Sequence, residues 1–122
     1  MSEKIALRPD LNIENLETTS PLEQFQNQTL RPILKLQNDL FVLQFQSYSA
    51  RMKSDYHTLS SHKKSLFIEQ SLQKDLVLKN TFIGMTLGMF TTEEFQNYLE
   101  SSKELNRRII TMLIERLKNQ LC

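Results

Sequence analysis

From Ser20 onward, apolar residues recur at helical spacings of three and four. Leu34, Phe41, Phe45, Tyr48 and Met52 fall on one stripe, and Ile33, Leu36, Leu40 and Leu43 on an adjoining one. Two stripes make a wide apolar face, suited to a helix packed against two others. Ser20, Pro21 and Glu23 supply its start: a hydroxyl cap, a proline at the first helical position and the acid of a capping box. Pro32 lacks an N–H, so a kink or a fresh start is expected near Thr29–Arg31.

A second helix, capped by Ser60 or Ser61, carries Ile68, Leu72, Leu76, Ile83, Leu87 and Phe90 on one stripe. Phe67, Leu78, Phe82, Met85 and Met89 make another. A third starts at the capping box Thr91-Thr92-Glu93-Glu94 and keeps Phe95, Tyr98, Leu99, Leu105, Ile109, Leu113, Leu117 and Leu121 in one phase. Ser101 with Glu104 offers a further cap, yet the phase does not jump, so one helix with at most a kink at Ser101–Ser102 is expected. Each helix would run roughly 40 to 50 Å. The short links between them force antiparallel neighbours. The expected fold is all-α, an up-down-up bundle of three long helices over residues 20–122.

Residues 1–19 hold no helical period, but Ile5, Leu7, Leu11, Ile13 and Leu16 recur in them. This tail is either solvated or a strap laid across a helical surface, its own or a neighbour's.

Composition supports helices. The 122 residues include two glycines and three prolines, too few for the many tight turns of a β-rich fold. The formal net charge of +1 lacks the basic excess of a polyanion binder, so no nucleic-acid partner is expected. The single cysteine, Cys122, cannot form an internal disulfide, and the first residues lack an apolar signal-peptide core. Both point to the cytoplasm.

Both glycines lie in Ile83-Gly84-Met85-Thr86-Leu87-Gly88-Met89-Phe90, four apart in the most apolar region. A membrane span needs about 20 apolar residues; charges at Lys79, Glu93 and Glu94 end this one too soon. No membrane partner is expected. Glycine costs about 1 kcal/mol against alanine inside a helix. The expected compensation is close packing against the third helix or a second subunit; the alternative is a helix that ends near Gly88. The surplus of apolar stripes over what three helices cover predicts a homodimer, and a further protein partner is compatible with it. Its interface is expected near Gly84 and Gly88, or near Ile110 and Ile114 on the third helix.

Chemistry-bearing groups are sparse. His57 and His62 are five apart in or beside one loop, whereas helical metal pairs prefer four, and no metal or cofactor is expected. Glycine-rich phosphate loops, Cys-x-x-Cys, Gly-x-Ser-x-Gly and His-Glu-x-x-His are all missing, so no catalytic residue is assigned. Polar residues interrupt the apolar helices at Asp39, at Asp75 and Lys79, and at Arg107 and Arg108. Asp75 and Lys79 form an acid-to-base pair at i,i+4. These residues are either a solvated face with a few salt bridges or an interhelical cluster. Such a cluster would bind a small anion, with Arg107 or Arg108 as the fork.

The stretches "FQNQTLRPILKLQNDLF", "QKDLVLKN" and "ELNRRIITMLIERLKNQL" resemble a family of small bacterial proteins, some of which carry the label glyoxalase. The likeness runs from Phe25 to Leu121 and rests on a general pattern. A glyoxalase I-type enzyme resembles paired βαβββ modules with histidine and glutamate on a divalent metal, and a glyoxalase II-type enzyme uses a histidine-rich motif. Neither pattern maps onto two neighbouring histidines in a helical chain, so the resemblance carries over no site residue. The sequence alone favours a self-associating interaction module over an anion-binding protein or enzyme.

Overall fold

The computed structural model describes residues 3–8, 20–52 and 55–122; helices and turns, with no strand among the described residues, account for them. A short N-terminal helix, α1 (Glu3–Ala6), precedes the rest. Each expected long helix is divided. The first region contains α2 (Pro21–Phe25), a π-helical turn (Gln26–Leu30), α3 (Arg31–Leu36) and α4 (Asn38–Arg51). A 3-10 turn (Tyr56–Thr58) leads to the second, α5 (Ser61–Lys74) and α6 (Leu76–Leu87). The third comprises α7 (Thr92–Glu100) and α8 (Ser102–Leu121). The longest, α8, spans about 30 Å, shorter than expected. No described helix is long and apolar enough to cross a membrane.

The starts follow local chemistry. Ser20 Oγ accepts the Glu23 N–H at 3.2 Å, with Pro21 in the first turn. Ser60 Oγ accepts from Lys63 N–H. Thr91 and Glu94 complete a reciprocal capping box at the start of α7.

The breaks have causes too. Pro32 cannot donate to the carbonyl of Gln28, and its ring crowds that carbonyl, so the preceding turn widens. Arg31 N–H then reaches back to the Gln26 carbonyl. The second break was not foreseen. Asp75 adopts an extended backbone (φ −84°, ψ 105°), and its Oδ1 accepts the Leu78 N–H at 3.1 Å, capping α6. That use of the carboxylate replaces the expected ion pair with Lys79, and the break turns Leu76 out to solvent. At Ser101 (φ −140°, ψ 36°) the chain breaks again rather than merely kinking. The Tyr98 hydroxyl donates to Asn106 Oδ1 across this break at 2.6 Å.

The core centres on α8. Leu105, Ile109, Leu113 and Leu117, one helical turn apart, are almost fully buried. Helices α5 and α6 both pack against it. Leu30, Ile33 and Leu34 close the core from the first region, where the Phe41 and Phe82 rings meet edge to face at 5.6 Å. Phe45, Tyr48, Tyr56 and Phe67 form an aromatic cluster at one end. Phe25, Phe90 and Tyr98 form another at the opposite turn.

Candidate interaction surface

Several apolar side chains stay uncovered, Phe95 and Leu99 on α7 among them, and two outward stripes lie on helices that adjoin. On α3 and α4, Leu36, Leu40 and Leu43 sit at i, i+4 and i+7 and are exposed, Leu43 to 61%. The expected stripe began at Ile33, which is fully buried in the core, so its inner end is covered while these three leucines are not. On α6, Val77 is 77% exposed. Thr81, Gly84 and Gly88 continue its face at helical spacing, both glycines exposed. The two helices adjoin: Gln44, Tyr48 and Arg51 of α4 and Val77, Leu78 and Thr81 of α6 line one groove.

A Cβ built on Gly84 would meet nothing within 4 Å, and one on Gly88 would meet only carbonyls of its own helix, the nearer at 3.4 Å. The third helical region is therefore not the close neighbour that the glycine spacing suggested. Helix α6 ends at Leu87, with Gly88 as its C-terminal cap. Ile110 and Ile114, the other expected interface residues, are buried by their own chain and cannot face a partner. Ridge-free helical surface at Gly84 and Gly88 stays open.

The N-terminal segment docks on its own chain. The Arg8 side chain is 6% exposed and forms a two-pronged ion pair with the Glu94 side chain, 15% exposed, at 2.7 Å for each prong. Its Nη2 also donates to the Met89 carbonyl at 2.6 Å, and Lys4 donates to the Phe90 carbonyl at 3.1 Å. Residues 3–8 thus strap the turn between α6 and α7, answering for these residues which of the two tail readings holds. Residues 9–19 lie outside the described residues. Burial pushes the Glu94 carboxyl up, but bonds from Arg8, the Thr91 N–H and the Thr29 hydroxyl, with the Arg8 charge, hold it below its ordinary value. A groove of about 920 Å³ runs beside the strap, lined by Lys4, Ile5, Gly88, Thr92, Glu93 and Phe95 among others.

The expected polar cluster is dispersed. Asp39 is exposed on α4, Asp75 caps α6, and Lys79 lies one turn further on. No described hydrogen bond or ion pair joins any of them to Arg107 or Arg108. Those two do act together: Arg107 grips both oxygens of Glu104, and Arg108 donates to Glu104 at 3.3 Å and to Gln26 Oε1 at 2.8 Å. Bonding to Arg107 leads the forces that lower the Glu104 carboxyl. His57 and His62 are both exposed. No three metal-ligating side chains converge among the described residues.

Sequence reasoning missed Arg8, Thr29, Arg31 and Arg116. Arg116 had a readable signal: it follows Arg108 and Met112 at i+4 on a face of α8 that also carries Glu104, Thr111 and Glu115. Comparison of the chain with protein-family models gives no match, and comparisons with curated proteins and with solved structures give none either.

Proposed function

We propose that this chain is a cytoplasmic, self-associating helical module whose contact face is the outer side of α4 and α6. The observation that carries this reading is the apolar surface at Leu40, Leu43, Leu76 and Val77, each more than half exposed. Apolar side chains left open on two helices that line one groove mark an interaction site. Gly84 and Gly88 add a smooth strip on which a partner helix could lie close, which would offset the helix propensity lost at Gly84, inside α6. A second copy is the favoured partner because a two-fold contact pairs each stripe with its own kind. Within each copy the three helical regions run up, down and up. Tyr56 bonding to the Leu121 carbonyl and Glu69 pairing with Lys118 support that arrangement, since they join the start of the second region to the end of the third.

Sedimentation of the full chain tests the reading. Wild type should sediment as a dimer at micromolar concentration, and Leu43→Lys with Val77→Lys should sediment as a folded monomer. A wild-type monomer, or a dimer indifferent to both substitutions, would refute it.

A further inference from the structure

The seam between the first region and α8 carries an excess of guanidinium. Arg31, Arg107, Arg108 and Thr111 line a cleft of about 370 Å³ there, with Gln26, Glu104, Met112 and Glu115. Arg116 lies one turn beyond Met112 on α8. Four guanidiniums stand against two carboxylates, Glu104 and Glu115, of which only Glu104 forms a described ion pair, already shared between Arg107 and Arg108.

The other two cations have weak company. Arg31 donates its Nε to the Asn27 amide at 2.9 Å, leaving its two terminal nitrogens without a described partner. Arg116 is half-buried and holds one long bond, 3.4 Å to Asn38 Oδ1, while its Nε is buried with no acceptor. Burial, helped by the nearby charge of Arg31, shifts Arg116 downward. Buried charge without a counter-charge is costly, and proteins normally pair it.

We propose that this seam binds an oxyanion, a phosphate or carboxylate group, held by Arg31 and Arg108 with Arg107 flanking and Arg116 supplying charge from the next turn. The chemistry fits. Guanidinium forks match the paired oxygens of both groups. Arg107 Nε and Nη1 and Arg108 Nη2 have no described partner, so an incoming anion finds donors without displacing Glu104. Thr111 adds a hydroxyl at the rim.

Isothermal titration calorimetry on the full chain at low salt tests this with two probes, pyrophosphate and citrate. One-site saturable binding of at least one probe is expected, and the probe that binds identifies the anion as phosphoryl or carboxylate. Arg31→Gln and Arg108→Gln should each weaken it by about tenfold, the equivalent of one charged hydrogen bond. Arg51→Gln, an exposed arginine at the far end of α4, should leave it unchanged. Arg31 is itself exposed, so its variant is expected to fold, which melting by circular dichroism checks. No saturable heat with either probe overturns the proposal. So does equal weakening in Arg51→Gln, which would mark an adventitious ion only, held by diffuse charge.

Discussion

Replacing Arg8 by alanine cuts the strap at its anchor. Arg8 makes three short charged hydrogen bonds, two to Glu94 and one to the Met89 carbonyl. Removing one partner of a buried ion pair costs about 3–5 kcal/mol where the other stays trapped. Glu94 is not trapped here. It keeps the Thr91 N–H and the Thr29 hydroxyl, and water reaches it once the strap leaves. Release of residues 3–8 also returns about 1–2 kcal/mol of backbone entropy per residue. The loss is therefore capped by the net docking free energy of the strap, and about 2 kcal/mol is expected. For a chain of this size that lowers Tm by about 6 to 10 °C. A four-residue helix does not persist alone. The Leu7 N–H, which donates to the Glu3 carbonyl at 3.2 Å, should then lose its protection from hydrogen exchange. A variant that melts within about 2 °C of wild type and keeps Leu7 protected would refute the latch.

Three further outcomes follow from particular groups. Because Glu94 has a lowered pKa in the fold, its contribution is present above the ordinary carboxylate range and lost as pH falls through the folded value. The stability advantage of wild type over Glu94→Gln should shrink on acidification below about pH 4.3, followed by chemical denaturation across pH; a constant difference would count against the shift. Asp75→Ala removes the cap of α6 and should cost about 1 kcal/mol in denaturant unfolding, whereas Lys79→Ala should cost far less, since no Asp75–Lys79 pair forms. Gly84→Ala should raise the Tm of dilute protein, by helix propensity worth up to about 1 kcal/mol, because its Cβ enters open space. The same substitution should weaken self-association in sedimentation, and a lowered Tm at high dilution would show that Gly84 is packed after all.

Helix content, starts and the buried face of α8 were legible because they depend on short-range chemistry. Ser20, Ser60 and Thr91 act within three residues of themselves, and Leu105 to Leu117 repeat at one spacing. The break at Asp75 was masked by an apolar rhythm that runs on through it, although an aspartate before Leu76-Val77-Leu78 is also a capping signal. The i,i+4 reading of Asp75 with Lys79 and the capping reading compete for one carboxylate, and the cap wins. Long-range partners were out of reach: nothing near Arg8 in the chain indicates Glu94, and nothing near Arg31 indicates α8. The apolar stripes were found, but periodicity does not say how much of a stripe another helix covers. Leu43 and Ile33 look alike in sequence and end on opposite sides of the boundary with water.

The strap also imposes an order of events during synthesis. Arg8 and Glu94 are 86 residues apart, so a ribosome adding about 5–20 residues per second makes the glutamate roughly 4 to 17 s after the arginine. Throughout that interval residues 3–8 lack the partner that holds them, and α5 and α6, complete by Leu87, can pack on each other before Glu94 is made. Residues 3–8, made well before α7, are thus among the last of these elements to take their place, closing over the α6–α7 turn only after Thr91 and Glu94 have started α7.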